Sequence, residues 1–345
     1  MEKGLDAVFI HNELNQRYLC NFSFTDGLLL ITKRNSYLIT DFRYYEMAEA
    51  KAFDEFLVVA PESNSAFIKG VLSDEGCKSV GFEGNYLSYT EYDRLCKDYP
   101  ACSFESIGDI IERMRYIKDS GEIELMKKAQ DMTDKAFAHM LKVITPNMTE
   151  LEVAAELEFS MRMAGASGAA FDTIAVSGTA SALPHGAPRP VKLEKGFLTM
   201  DFGAKFDGYC SDMTRTVVIG KADCDMKKLY NTVLKAQTAV LDYIQEGVEC
   251  FAADKVARDI IYAEKQYHGC FGHGLGHGVG LYIHENPRLS PRSKGIHVAK
   301  GNVFTVEPGI YLYGRYGCRI EDMVTVGEDG LYNFTRSNKE LIEIM

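Results

Sequence analysis

The stretch Met200-Asp201-Phe202-Gly203-Ala204-Lys205-Phe206-Asp207-Gly208-Tyr209-Cys210-Ser211-Asp212-Met213-Thr214-Arg215-Thr216 decides how the larger part of this chain is read. Asp207-Gly208 is a strong signal for a two-residue hairpin turn, because such turns need positive φ at their centre and Asp and Gly tolerate it. The runs from Phe197 to Phe206 and from Tyr209 to Ile219 then become antiparallel partners. With that turn, Phe206 faces Tyr209 and Asp201 faces Thr214. Directly opposed and alternate residues share a face, which puts Asp201 and Asp212 diagonally on one face. Two unpaired carboxylates on a largely apolar strand pair repel each other and resist burial. Either the hairpin is solvated, or a cation lies between the two acids.

Downstream the pattern repeats. Helical stretches near Met226 to Gln245 and Ala252 to Tyr267 precede strand-like runs at Gly278 to Ile283, Asn302 to Glu307 and Arg319 to Val326. Upstream, Asp119 with Glu122 and Thr149 with Glu152 mark the starts of two helices, the second ended by Gly165, and Phe171 to Ser177 is a further strand. Each half thus reads as two helices, a strand, a loop carrying His and Pro, and two acid-bearing strands. The loops are Pro184-His185-Gly186-Ala187-Pro188 and His284-Glu285-Asn286-Pro287-Arg288; the acids are Asp201 and Asp212, then Glu307 and Glu321. This is duplication of pattern without identity. It predicts two related halves around a shared site, with their strands gathered into one curved sheet. In the last strand Arg319 and Glu321 share a face and Asp322 points away. Glu307 precedes Pro308-Gly309, where a strand breaks into a turn.

Residues 1–116 read differently. Short apolar runs at Val8-Phe9-Ile10, Gly27 to Thr32, Tyr37 to Thr40, Phe56 to Ala60 and Ser79 to Phe82 alternate with helical stretches such as Arg43 to Ala52 and Asn64 to Ser73. That alternation predicts a small α/β domain. The domain boundary falls between Arg113 and Asp119, with the second domain taken as residues 117–345. A length of 345 residues suits two domains. The net charge of −11 argues against nucleic acid, whose phosphates call for basic patches. No apolar run reaches a membrane span, and the start Met1-Glu2-Lys3-Gly4 lacks the features of a signal peptide. Nine cysteines at irregular spacing, with no CxxC pair, suggest free thiols in the cytoplasm. Cys210, Cys270 and Cys318 lie near the acids in sequence; they read as small buried residues, with thiolate ligation of zinc as the remote alternative.

The most specific text is Phe271-Gly272-His273-Gly274-Leu275-Gly276-His277-Gly278-Val279-Gly280-Leu281-Tyr282-Ile283-His284-Glu285. Its glycines permit close backbone approach. A phosphate cradle fits poorly, since no GK[ST] follows. Four carboxylates with one imidazole balance the charge of two divalent cations, and oxygen-rich donors with a single nitrogen suit manganese, with cobalt or zinc as alternatives.

Taken together, Met200 to Ala204, Ser211 to Thr216, Gly272 to His284, Val306-Glu307-Pro308-Gly309-Ile310-Tyr311 and Arg319-Ile320-Glu321-Asp322 resemble the pita-bread-fold metallopeptidases, in particular the Xaa-Pro peptidases (aminopeptidase P and prolidase). The resemblance implies an α+β chain: a C-terminal pita-bread catalytic domain with pseudo-twofold halves, preceded by a creatinase-like N-terminal domain that serves substrate access and dimerisation. It implies that Asp201, Asp212, His277, Glu307 and Glu321 hold two metal ions, Asp212 and Glu321 bridging them. It gives His185, His273 and His284 places along the substrate. Arg319 becomes a support for the ligands, and Arg288 a partner for the substrate carboxylate. Glu307 and His284 would serve catalysis, as proton shuttle and oxyanion donor, when a metal-bridged hydroxide attacks the Xaa-Pro bond. The expected partners are a peptide with proline second and another copy of the chain, as a homodimer. The rivals are a methionine aminopeptidase or general aminopeptidase, a metal-free relative such as creatinase, and a non-catalytic peptide-binding relative. The intact ligand set speaks against the last two.

Overall fold

In the computed structural model, which describes residues 4–345, the chain divides between Arg115 and Tyr116 into two units. In the first, strand Ala7–Ile10 sends alternate side chains to opposite faces. Ala7 and Phe9 pack with Leu30, Ile39 and Val80, while Ile10 packs with Leu29, Leu38 and Phe24. This strand lies inside a six-stranded sheet ordered Phe56–Val59, Ser36–Ile39, Leu28–Thr32, Ala7–Ile10, Ser79–Phe82 and Ser103–Ser106. Helices Phe42–Lys51 and Asn64–Asp74 fall where the sequence predicts them. Helices Glu13–Cys20 and Tyr89–Asp98 and the edge strand Ser103–Ser106 carry too few apolar residues to stand out in the sequence. Asn12 caps the first of these helices through Leu14 and Asn15, and Ser88 with Glu91 forms a capping box on the second.

In the second unit the expected capping boxes are present. Asp119 and Glu122 start helix Ser120–Val143, Thr149 and Glu152 start helix Glu150–Met163, and Gly165, at φ +111°, turns the chain after it. The later pair is Cys224–Tyr243 and Cys250–Ala263; a 3-10 turn, Lys265–Tyr267, replaces the last residues predicted as helix. The two pairs are built alike. Ile144 and Ile244 both end their first helix in extended backbone. Thr149 bridges to Lys192 and Glu249 to His297, each at the start of the second helix. Each pair backs an apolar core of its own.

The hairpin has the predicted register, with Phe206 opposite Tyr209 and Asp201 opposite Thr214. Asp207 and Gly208 both take positive φ, +45° and +86°. The predicted single curved sheet is not what the backbone builds. The strands of this unit fall into sheets of three, four, five and two strands. The hairpin itself divides: its arms are Gly196–Phe202 then Ala204–Phe206, and Tyr209–Cys210 then Met213–Ile219. The predicted strand from Arg319 to Val326 likewise divides into Tyr316–Arg319 and Asp322–Gly327. The predicted strand from Gly278 to Ile283 is a tight connection; the strand is Gly276–Gly278, and the chain returns as Glu285–Leu289. The glycines explain this. A Cβ on Gly278 would meet Asn286 O at 2.2 Å, and one on Gly280 would meet the Glu285 carboxylate at 2.6 Å, so their spacing serves the close return of the chain.

Among the described residues no helix is long and apolar enough to cross a membrane, and all nine cysteines are free thiols. The divided hairpin depends on close backbone contact. A Cβ on Gly203 would lie 1.9 Å from Ser211 O, and one on Gly276 1.9 Å from Thr305 O. Gly203→Ala and Gly276→Ala should each cost about 1–3 kcal/mol of stability, because only backbone movement relieves the overlap. Gly272→Ala, with nothing within 4 Å, is the control. Urea unfolding midpoints check this, and equal midpoints for all three would contradict it.

Candidate metal centre

Every candidate residue of the second unit lines one cavity of about 790 Å³: Asp201, Asp212, His277, Glu307 and Glu321, with His185, His273, His284, Arg288 and Arg319. Three of the acids sit where a strand ladder is interrupted. Asp212 lies in the gap between Tyr209–Cys210 and Met213–Ile219. Glu307 lies between Val303–Val306 and Gly309–Leu312, and Glu321 between Tyr316–Arg319 and Asp322–Gly327. Asp201 is the penultimate residue of Gly196–Phe202, opposite both Thr214 and Ile174. His277 is the middle residue of Gly276–Gly278, where the register with Glu285–Leu289 shifts.

Short polar side chains fix the acids. Thr214 Oγ1 donates to Glu321 Oε2 at 2.6 Å and accepts from Arg319 Nε at 2.9 Å. Arg319 Nη2 donates to Asp201 Oδ2 at 2.6 Å. Thr305 Oγ1 donates to Glu307 Oε1 at 3.1 Å and accepts the His277 N–H at 3.1 Å. Asp201 Oδ1 is buried and has no hydrogen-bond partner.

The histidines have defined tautomers. His277 Nδ1 faces Gly278 O at 3.1 Å, a carbonyl that can only accept, so the proton is on Nδ1. Its Nε2 lone pair then points between Asp212 Oδ2 and Glu307 Oε1, each 3.5 Å away. Burial first, then His284, pulls the His277 pKa down to about 3, so this ring is neutral in any working buffer. A neutral lone pair facing two carboxylates is an arrangement that a cation satisfies. His273 is bound at both nitrogens: Nδ1 to Gly274 O at 2.8 Å, and Nε2 to Tyr311 Oη at 2.9 Å. Tyr311 Oη in turn accepts from Arg319 Nη1 at 2.7 Å. His273 therefore lines the cavity with its ring already committed. His185 and His284 are exposed at the wall, and the His284 ring packs edge-on against His277 at 4.5 Å.

The electrostatics are those of a crowded anionic site. Burial, then the neighbouring acids, push Asp212 and Glu321 well above the usual carboxylate range. Burial also raises Glu307, to about 8. Among the described residues Arg319 is the one buried cation on the cavity wall. Asp212, His277 and Glu321 each bring a ligand atom within 4.8 Å of the other two. The donor set, the orphaned Asp201 oxygen and the exposed lone pair of His277 all fit divalent cations. No cysteine belongs to this group, and burial raises the Cys318 thiol to about 12, which leaves the thiolate alternative without support.

Tyr311, Thr214 and Thr305 are functional neighbours to which the sequence reading assigns no part. Thr214 was legible as the residue opposite Asp201, and Thr305 as the alternate neighbour of Glu307. Tyr311 was not, because its strand, Gly309–Leu312, pairs with Tyr316–Arg319 in a separate two-stranded sheet.

The chain matches the family model described as metallopeptidase family M24 over residues 124–328, and that of the creatinase/prolidase N-terminal domain over residues 1–117. It is 38% identical over 343 residues to the Xaa-Pro dipeptidase of Pyrococcus horikoshii, an alignment covering 99% of this chain and 95% of that protein. Among solved structures it resembles the Xaa-Pro dipeptidase from Bacillus anthracis, with a TM-score of 0.94, 40% identity and coverage of 99% and 96% of the two chains. It also resembles the X-Pro aminopeptidase from Thermotoga maritima, with a TM-score of 0.93, 37% identity and coverage of 99% and 98%.

The raised carboxyls carry a stability signature. Above about pH 7.5 His273 and His277, whose values are lowered by burial to about 4 and about 3, are neutral in the folded chain and nearly so in the unfolded one. Glu307, raised to about 8, keeps in the folded chain a proton that the unfolded chain has lost, and the upward shifts of Asp212 and Glu321 act in the same direction. The folded state then binds more protons, and stability falls as pH rises, by up to about 1.4 kcal/mol per unit for each such proton. Chelator-treated protein should melt at a lower temperature at pH 8.5 than at pH 7.5, and a saturating divalent cation should remove the difference. A flat profile without metal would argue against charge crowding at this site.

Proposed function

The chain belongs to metallopeptidase family M24, and we propose that it hydrolyses the bond between an N-terminal residue and a following proline, in Xaa-Pro dipeptides or at the start of longer peptides. One observation carries the reading: four carboxylates and a neutral imidazole converge on one cavity wall with an unpartnered carboxylate oxygen and a lone pair aimed between two acids. Asp201, Asp212, His277, Glu307 and Glu321 would hold two divalent cations, manganese first and cobalt or zinc after it, since carboxylate donors with one imidazole suit that ion. Bound there, the cations supply a Lewis acid for the scissile carbonyl and make the attacking water acidic.

The protein's own groups do the rest. Glu307 accepts a proton from the attacking water as its oxygen bonds to the carbonyl carbon, and returns it to the proline nitrogen as the C–N bond breaks. His284 donates a hydrogen bond to the carbonyl oxygen as charge gathers there; burial and the nearby Arg288 lower its pKa and keep the ring a neutral donor. His185, exposed on the cavity wall, is a second polar contact for the peptide. Arg288, exposed on the rim, pairs with the carboxylate of a short substrate. Arg319, held by Tyr311 and Thr214, keeps Asp201 aimed inward. His273, bound to Tyr311, stiffens the same wall. An Xaa-Pro bond is a tertiary amide with no N–H and a restricted preceding residue. A site that asks for no amide hydrogen and admits the ring can prefer it.

In this reading residues 117–345 carry catalysis, and residues 1–116 serve substrate access and dimerisation. The free thiols support a cytoplasmic setting, and a homodimer is the proposed assembly.

The deciding experiment is hydrolysis of Xaa-Pro, Xaa-Pro-Yaa and N-terminal Met peptides after manganese reconstitution. Turnover confined to the Met peptides would overturn the proline-directed reading. Asp212→Asn or Glu321→Gln should lower kcat/KM by more than about 100-fold with the fold retained, since even partners outside the ligand set are worth 10–100-fold. Near-normal turnover by either variant would remove the dinuclear assignment. Arg288→Ala should weaken dipeptide hydrolysis about 10-fold or more, the worth of a lost charge-assisted hydrogen bond, and spare longer peptides. Equal losses would take the carboxylate role from Arg288.

A further inference from the structure

Arg215 stands within the hairpin text that carries Asp212, yet nothing in the chemistry above uses it. It is 1% exposed, one of the largest side chains in the protein to be fully buried. Alternation along Met213–Ile219 sends Thr214 toward the cavity and Arg215 to the opposite face.

All five guanidinium N–H groups have acceptors there. Nη1 donates to Thr214 O at 2.9 Å and to Glu321 O at 2.6 Å. Nη2 donates to Asp322 Oδ1 at 2.8 Å and to Ser337 O at 2.9 Å. Nε donates to Asn338 O at 3.1 Å. Glu321 is thus gripped from both faces of one strand: its carboxylate by Thr214 Oγ1, its carbonyl by Arg215, and its N–H by Thr214 O. This matters because Glu321 lies in the gap between two strands, where no ladder holds its backbone.

Two of the acceptors, Ser337 O and Asn338 O, belong to the C-terminal segment. Asp134, on helix Ser120–Val143, accepts from Arg336 N–H, Ser337 N–H and Ser337 Oγ. Tyr230, on helix Cys224–Tyr243, donates to Lys339 O. Lys339 Nζ reaches Asp322 Oδ2 at 2.7 Å and Gln237 Oε1 at 3.0 Å. Glu343–Ile344 then pairs in parallel with Val218 and Ile219. The segment runs from the first helix pair to the second, across the back of the centre, and lies beyond residue 328, where the match to the M24 family model ends.

We propose that Arg215 is a positioning residue for Glu321, and that the C-terminal segment 333–345 holds Arg215 in place, so that the last residues of the chain tune the metal affinity of the centre. This rests on the reading of Glu321 as a metal ligand. A planar fork of five donors is required: lysine has three donors from one point and cannot span Thr214, Glu321, Asp322 and the tail together.

The test is calorimetric titration of Mn2+ into chelator-treated full-length protein, with a thermal midpoint measured beside it. Wild type should bind two ions. Arg215→Lys should weaken at least one of them by about 10–100-fold, the usual effect of removing a partner that orients a ligand. Lys339→Met and Asp134→Asn, which loosen the segment on either side of Asn338, should weaken the same ion by a smaller step in the same direction. A folded Arg215→Lys protein with unchanged affinity overturns the proposal. A lowered melting point with unchanged affinity makes Arg215 merely structural and overturns it too. Where Arg215→Lys does not fold, the two tail variants decide: weaker binding in either upholds the proposal, and unchanged binding in both overturns it. Failure of wild type to bind Mn2+ overturns the metal reading and this inference with it, whereas two ions in wild type with no effect in any variant overturns this inference alone.

Discussion

Four carboxylates converge on one wall of a cavity where, among the described residues, Arg319 is the one buried positive charge, and the architecture around them answers that excess. Burial penalises the charged form of each acid and the acids penalise one another, which is why Asp212 and Glu321 sit far above the ordinary carboxylate range. Neighbours hold one oxygen of three of the acids: Thr214 that of Glu321, Thr305 that of Glu307, and Arg319, itself bound to Tyr311, that of Asp201. The arrangement suits cations, and a cation bound there would offset the repulsion among the acids.

The same constraint explains the broken sheets. A residue in a regular ladder has its side chain normal to the sheet and its backbone committed to neighbours. Asp212, Glu307 and Glu321 each occupy a gap between strands, where the backbone can turn the carboxylate toward the common cavity. Glycines make the gaps possible. Gly203 and Gly276 let carbonyls of Ser211 and Thr305 approach to distances that no Cβ allows. The gaps leave backbone groups to be held by other means: Glu307 N–H finds Leu275 O, and Glu321 N–H finds Thr214 O. Arg215 belongs to the same class of device, holding a carbonyl that the ladder leaves out.

The duplicated helix pairs supply the rigid frame. Helices Ser120–Val143 with Glu150–Met163, and Cys224–Tyr243 with Cys250–Ala263, each carry a separate apolar core. Between them the acids of each half face the acids of the other, so neither half has a complete centre. Asp201 and Asp212 come from one, His277, Glu307 and Glu321 from the other. The C-terminal segment touches helices of both.

The hairpin register and the helix starts were legible in the sequence, because hairpin parity and helix capping are local rules with short-range causes, whereas the candidate ligand set rested on the family resemblance of the motifs. Asp207-Gly208 set the register that puts Asp201 opposite Thr214, and Thr149 with Glu152 set a helix start; both are decided within a few residues. The division of the strands into four sheets was not legible, since each gap depends on a carbonyl from a distant segment arriving at a glycine. Nor was the place of Tyr311 and Arg215, whose partners lie on Arg319, His273, Glu321 and the tail, far along the chain. By itself the sequence determined which groups are candidates for the chemistry and in what order they come. Only the tertiary structure decided which of them are held, by what, and from which side, because hydrogen bonds between remote segments exist only once the chain has folded.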